Sequence, residues 1–234
     1  MGLAHHDNGE DNGEGDEFVS YRGDVVVGGP AQVRELPTLM ISKLAVGPLE
    51  NNVYLLRCRE TGEQLLIDAA DEPERVNDLI GPEGLATIVT THRHGDHWQA
   101  LPAVVETTSA QTVAHPLDAP QLPVDVNVLV DHGDTVLVGA SPLTVIHLRG
   151  HTPGSIALLF DDPEGPPHLF TGDSLFPGGV GKTTPDTFPQ LMDDITDRVF
   201  AQLPDETWVY PGHGKDTTLG AERPHLPEWR ERGW

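Results

Sequence analysis

The sequence predicts an α+β fold in which two β-rich layers pack together under a cover of helices. Three observations lead there. Short apolar runs bounded by turn residues outnumber helical patterns, helices are interspersed among the strands, and hairpin-like neighbours occur in both halves. The last point argues against one doubly wound parallel sheet, whose strands would all need crossover connections.

Taken in order, residues 7–17 carry Asp7, Glu10, Asp11, Glu14, Asp16 and Glu17 with no apolar side chain to bury, so they cannot offset their own ordering entropy. Residues 1–36 therefore read as an acidic, disordered tail and lead-in, and 37–234 as a single domain. Residues 39–46, 52–56, 64–67 and 86–90 read as strands. Between the last two, 72–80 has helical spacing. Glu72, Pro73 and Glu74 suit a helix start, Val76, Leu79 and Ile80 form an apolar face, and Gly81-Pro82 ends it. In the second half, 136–138, 143–148, 156–160, 168–170 and 207–210 read as strands. Residues 191–203 read as a helix with Leu191, Ile195, Val199 and Phe200 facing inward.

Composition narrows the partners. Asp and Glu number 37 against 14 Lys and Arg, a formal charge of -23, which makes phosphate backbones and anionic lipid surfaces unfavourable partners. A small-molecule substrate is expected instead. One cysteine, Cys58, excludes an intramolecular disulfide framework. With no basic, apolar leader and no apolar run of membrane-spanning length, a cytoplasmic protein is expected.

The chemistry concentrates in Thr90-Thr91-His92-Arg93-His94-Gly95-Asp96-His97-Trp98, between an apolar strand and a helix. Imidazoles and a carboxylate suit zinc and other borderline divalent metals, and Gly95 supplies backbone freedom where Asp96 and His97 must turn inward. Three further stretches place His or Asp beside Gly at the end of an apolar strand: Gly150-His151-Thr152-Pro153-Gly154, Thr171-Gly172-Asp173-Ser174 and Pro211-Gly212-His213-Gly214. Five His and two Asp exceed the needs of one tetrahedral ion, whereas two ions sharing a bridging carboxylate employ all seven.

These motifs resemble the metallo-β-lactamase-fold hydrolase superfamily, and within it the glyoxalase II-like (hydroxyacylglutathione hydrolase-like) branch, over roughly residues 39–216. The resemblance implies a four-layer αββα sandwich. It implies His92, His94 and His151 on a first metal, Asp96, His97 and His213 on a second, and Asp173 bridging them, with Asp96 also orienting the attacking hydroxide. The expected cofactors are two divalent ions, zinc in the first instance, with iron or manganese as alternatives. Asp173 stands where the best-known zinc β-lactamases place Cys or lack a bridging carboxylate, which disfavours antibiotic hydrolysis. In glyoxalase II enzymes a Gly-x-Gly-Lys segment contacts the thiol carrier's carboxylate, and Gly179-Val180-Gly181-Lys182 is similar, which makes Lys182 the substrate-binding candidate. Read without the family, Gly181-Lys182-Thr183 is not a P-loop, because Phe176 occupies the first glycine position. Only 21 residues follow His213, too few for the helical domain that completes the glutathione site in those enzymes, which argues against glutathione as the carrier and leaves another small thiol or an acyl thioester open.

The leading expectation is thioester hydrolysis on a metal-bridging hydroxide. The alternatives are an iron-dependent persulfide dioxygenase, using His92, His151 and Asp173, a lactonase, and a metal-stabilised module without catalysis. His115, His132 and His147 read as separate hydrogen-bonded structural residues. Asp68 reads as a carboxylate that orients a ligating imidazole or simply ends a strand. Phe176, Phe188 and Trp98 read either as pocket walls or as core.

Overall fold

The computed structural model describes residues 21–233, so the acidic stretch 7–17 lies outside the described residues. The first sheet contains β1 (Gln32–Glu35), β2 (Leu39–Val46), β3 (Asn51–Cys58), β4 (Gln64–Ile67), β5 (Thr87–Val89), β6 (Gln111–Ala114) and β7 (Val128–Leu129), in that spatial order. Its first four strands are antiparallel neighbours, and β4 to β7 run parallel. The second sheet draws on β8 (Thr135–Val138), β9 (Ser141–His147), β10 (Ile156–Phe160), β11 (His168–Gly172), β14 (Trp208–Pro211) and β15 (Thr217–Thr218). A small hairpin, β12 (Leu175–Phe176) and β13 (Gly179–Val180), stands apart. The helices are α1 (Pro73–Ile80), α2 (Leu101–Thr108), α3 (Phe188–Ile195), α4 (Leu219–Glu222) and α5 (Leu226–Arg232).

Strand alternation explains the layering. In β2, Leu39 and Ile41 face the second sheet while Leu44 and Val46 join the opposite layer; β3 divides likewise, Tyr54 and Leu56 inward and Val53 and Leu55 outward. The inward set packs against Val136, Val138, Leu143, Val145, Leu158 and Phe170 of the second sheet. The outward face of the first sheet is closed by Val76 and Ile80 of α1 and Leu101 and Val104 of α2. That of the second sheet is closed by Leu191, Met192 and Ile195 of α3 and Trp229 of α5. The order is therefore αββα, as expected.

The helix expected over 191–203 begins earlier, at Phe188, and α3 runs on through a wider π-type turn, Thr196–Phe200. Strand β1 is an element that hydrophobic pattern does not reveal, since Gln32-Val33-Arg34-Glu35 holds one apolar residue. It is held by pairing with β2 and by Arg34, whose guanidinium lies 3.7 Å from the Trp208 ring centre. No helix among the described residues is long and apolar enough to cross a membrane.

Candidate metal centre

Every site residue follows a strand end at one edge of the sandwich. Strand β5 leads into Thr91 and His92; His94 is extended, and Gly95–His97 forms a tight helical turn in which the His97 amide donates to the His94 carbonyl at 3.0 Å. The turn swings Asp96 and His97 back toward His92. Gly95 is not what permits this. Its backbone lies outside the left-handed region, and an added Cβ would meet nothing nearer than Trp98 at 3.7 Å. The demanding glycines lie elsewhere. At Gly172, φ is +48° and a Cβ would come 2.6 Å from Thr91 Oγ1, so the chain passes against the His92 loop before presenting Asp173. Cβ atoms at Gly181 and Gly212 would run into the Asp173 carbonyl oxygen and carboxylate, respectively.

The seven predicted ligand residues converge. His92, His94 and His151 form one donor group and Asp96, His97 and His213 another. Asp173 lies between them, with Oδ1 3.3 Å from His97 Nε2 and Oδ2 3.6 Å from His151 Nε2 and 3.5 Å from His213 Nε2. His213 Nε2 is also 3.3 Å from Asp96 Oδ2 and 3.2 Å from His97 Nε2. Donors about 2.0–2.1 Å from a shared tetrahedral ion stand roughly 3.3–3.4 Å apart. The separations match that edge better than the roughly 2.8 Å of charge-assisted hydrogen bonds.

Proton placement points the same way. Four of the five imidazoles engage groups outside the cluster through Nδ1: His97 with Asp68 Oδ2 at 2.9 Å, His151 with the Lys182 carbonyl at 2.8 Å, His213 with the Leu49 carbonyl at 2.8 Å and His92 with Thr91 Oγ1 at 3.1 Å. Because Thr91 Oγ1 already donates to Asp68 Oδ2, it accepts from His92. In these four each Nδ1–H leaves a lone pair on Nε2, directed into the cluster, whereas His94 turns Nδ1 inward, 2.9 Å from His151 Nε2. His92 Nε2 and Asp173 Oδ1 are buried without a hydrogen-bond partner, and an ion would satisfy both. The donor set therefore fits metal ions on the structure's own terms. Asp68 is grouped geometrically with His92 and His97, but its oxygens are occupied by the Thr91 amide, Thr91 Oγ1 and His97. It orients the imidazole.

Electrostatics follow from burial and these contacts. Burial holds His92 well below the usual imidazole range. At His97 burial acts in the same sense but is overcome by the adjoining carboxylates of Asp173 and Asp68, which push it up to about 10. Burial would raise Asp173, yet His213 and His97 hold its carboxyl far below the usual range. Asp96 is likewise lowered: burial opposes its charge, and the Asn51 amide, 3.0 Å from Oδ2, outweighs that. Two carboxylates at the centre are thus kept ionised.

Several participants escape sequence reasoning. Asn51 and Asn52 begin β3, and Asn is unusual in a strand, which is the one available signal. Asn52 donates to the Pro211 and Gly214 carbonyls at 2.9 and 3.0 Å, bracketing His213. Buried Asp118 accepts from the Arg93 amide at 3.1 Å, Thr152 Oγ1 at 2.5 Å and the Gly154 amide at 3.0 Å, tying the His92–His97 loop to the His151 loop. Lys182 lines a cavity of about 450 Å³ with Arg93, His94 and His151. Phe188, the first residue of α3, belongs to the core under the second sheet's outer face, and Trp98 packs on the first sheet's outer layer, whereas the Phe176 ring is 6.2 Å from that of His213. His115 and His147 are not separate: their ring centres lie 3.9 Å apart with the planes tilted by 30°, and both approach Asp131 Oδ1, at 3.3 and 3.6 Å.

The chain matches the family model of the metallo-beta-lactamase superfamily over residues 46–213. A hydroxyacylglutathione hydrolase of Rhodospirillum rubrum is 34% identical over 183 residues, which cover 76% of this chain and 67% of that enzyme. Other hydroxyacylglutathione hydrolases are covered over 60% to 67% of their length, so the chain spans about two thirds of these relatives or less. Among solved structures, ETHE1 from Myxococcus xanthus superposes with a TM-score of 0.70 at 32% identity, covering 82% of this chain and 84% of that one. TTHA1623, solved in a di-iron-bound form, gives 0.65 at 36% identity, covering 77% and 96%. With the donor cluster at the strand ends of an αββα sandwich, these matches establish that the chain belongs to the metallo-beta-lactamase superfamily, in its glyoxalase II-like branch.

Proposed function

We propose that this protein is a binuclear metal-dependent hydrolase that cleaves an acyl thioester. The observation that carries the reading is the position of Asp173, whose two oxygens face both donor groups. In this reading His92, His94 and His151 would hold one ion and Asp96, His97 and His213 the other, with Asp173 between the two groups. The di-iron-bound form of TTHA1623 supports two ions. Bound there, divalent ions lower the pKa of water toward neutrality and polarise an acyl carbonyl.

The chain's own residues supply alignment. Asp96, ionised and steadied by Asn51, orients the attacking water; Asp68 and the Lys182 carbonyl keep His97 and His151 in the liganding tautomer. The water gives up one proton to solvent as its oxygen bonds to the acyl carbon, the carbon–sulfur bond breaks, the thiolate leaves with the electron pair of that bond, and the carboxylic acid formed loses its proton to solvent. Because thiolate is a good leaving group, no separate general acid is needed. Lys182, at the cavity beside His94 and His151, contacts the carrier portion.

The test is purified protein, loaded with zinc, iron or manganese and with chelator controls, assayed on acyl thioesters, lactones and β-lactams. Thioester turnover well above the others, with two metals per chain, is expected. Lactone turnover exceeding it by orders of magnitude overturns the substrate assignment. One iron per chain with oxygen uptake on a persulfide favours the dioxygenase. An Asp96→Asn variant that retains metal and loses most turnover separates catalysis from a structural role.

A further inference from the structure

A second donor group adjoins the His151 loop and shares no residue with the seven-residue centre. His115, Asp131 and His147 each bring one ligand atom within 4.8 Å of the other two. Asp131 Oδ1 is 3.3 Å from His115 Nε2 and 3.6 Å from His147 Nδ1. The three are delivered by both sheets: His115 follows β6 and Asp131 follows β7 in the first, and His147 ends β9 in the second. Both imidazoles are more than nine-tenths buried, at 3% and 8% exposed.

His147 Nε2 donates to the Pro153 carbonyl at 2.8 Å, which leaves the lone pair on Nδ1. Among the described residues no donor reaches that nitrogen, and the group it faces is a carboxylate. A lone pair turned on a carboxylate oxygen is unfavourable away from water unless a proton or a cation joins the two. Burial holds His147 below the usual imidazole range, which disfavours the proton. A divalent cation meets both groups. His115 starts from the other tautomer: the Leu117 amide donates to its Nδ1 at 3.2 Å, so Nε2–H points at Asp131. An ion at Nε2 displaces that proton to solvent, Nδ1 takes one up in return, and the amide contact is given up. That contact is at the long end of the range, and Leu117 is 55% exposed.

We infer that His115, Asp131 and His147 form a further divalent-metal site, separate from the seven-residue centre, whose ion pins the two sheets together beside the loop that carries His151. Two imidazoles and a carboxylate suit zinc and other borderline divalent ions, with water completing the shell. The role is structural. The His147 ring holds the Pro153 carbonyl, and the His115 carbonyl accepts the Asp118 and Ala119 amides at 3.1 and 2.9 Å, so the ion steadies the segments on either side of Thr152 and Asp118. Because His115 must change tautomer, the site binds more weakly than the seven-residue centre. It is independent of the reaction assigned there.

The experiment titrates the full chain with zinc against a chromophoric chelator. Wild type is expected to take up one zinc per chain more than His147→Gln, at an affinity below that of the seven-residue centre. Asp131→Asn changes a side chain that is 67% exposed, so the fold tolerates it, and it weakens the extra ion by at least about 10- to 100-fold. Excess zinc raises the thermal midpoint of wild type more than that of either variant. Histidine nitrogen NMR adds a readout that zinc on surface carboxylates does not move: His115 passes from the Nε2–H to the Nδ1–H tautomer as zinc is added. Equal zinc counts in wild type and His147→Gln, or a His115 that keeps its Nε2 proton in excess zinc, overturns the inference. Because the count is a difference between variants, it reads the same whether the seven-residue centre holds one ion or two, and its failure leaves the proposed hydrolase intact.

Discussion

The side chains of His97 and Asp68 meet in full burial, Nδ1 to Oδ2 at 2.9 Å, with 0% and 2% of their surface exposed. Asp68 sits at φ +58°, a left-handed conformation uncommon for any residue but glycine. The backbone bends there to deliver one carboxylate to both the Thr91 loop and His97. Asp68→Asn retains the shape but removes the charge that favours a liganding Nε2. Affinity for the second metal is expected to fall about 10- to 100-fold. Competition against a chromophoric chelator measures it, and unchanged affinity overturns the orienting role.

Proton and metal compete for the same atoms. With His97 pushed up to about 10, the metal-free protein carries a proton there at neutral pH, and binding an ion at Nε2 must release it. Apparent metal affinity should therefore rise with pH toward 10, and calorimetry in buffers of different ionisation enthalpy should show proton release near pH 7.5. Stability follows the same linkage. The folded value is raised above the ordinary imidazole value of about 6.5, so its contribution is complete below that pH and is lost as pH climbs toward 10. Metal-free protein should lose thermal stability across that window, and loaded protein should lose much less.

Gly181 and Gly212, like Gly172, have no room for a side chain, and Gly95 does. Gly212→Ala sets a methyl against the Asp173 carboxylate and His97, so loss of metal stoichiometry and destabilisation of about 1–3 kcal/mol are expected. Gly181→Ala meets the Asp173 carbonyl and should behave alike. Gly95→Ala, inside the densest ligand motif, should fold and bind metal almost normally. Thermal unfolding and metal analysis of the three variants distinguish these outcomes.

Lys43 is fully buried, with Nζ 2.8 Å from the Gly23 carbonyl, 2.7 Å from the Gly214 carbonyl and 2.6 Å from Asp216 Oδ1. Removing it strands Asp216 inside the protein. Lys43→Met should cost about 3–5 kcal/mol, with partial recovery on adding Asp216→Leu. Chemical denaturation provides the comparison, and a cost under 1 kcal/mol contradicts the role assigned to the pair.

The ligands were legible because metal chemistry demands particular side chains and strand ends deliver them, so His92 to His97, His151, Asp173 and His213 stand out by type and neighbours. The sandwich was legible from alternation in β2 and β3. Asn51, Asn52 and Asp118 were not, since each acts on a loop distant in sequence and their residue types are ordinary in turns. Gly95 was misread for a related reason: a glycine within a motif draws attention, but steric necessity arises from the approach of a remote segment, as at Gly212. The His115–His147 pair was hidden because neither residue reveals its partner, 32 positions away.

Lys43 also bears on the timing of assembly. Its contacts gather Gly23, Gly214 and Asp216, and Tyr21 donates to Asp216 at 2.5 Å across 195 positions. The loop carrying His213 is thus buttressed by the first described residues and by β2. During biosynthesis Asp96 and His97 emerge long before His213, and their donor group is complete only after both ends of the described chain have met. A nascent or truncated chain lacks this pocket, so capture of an ion there reports that the fold has closed.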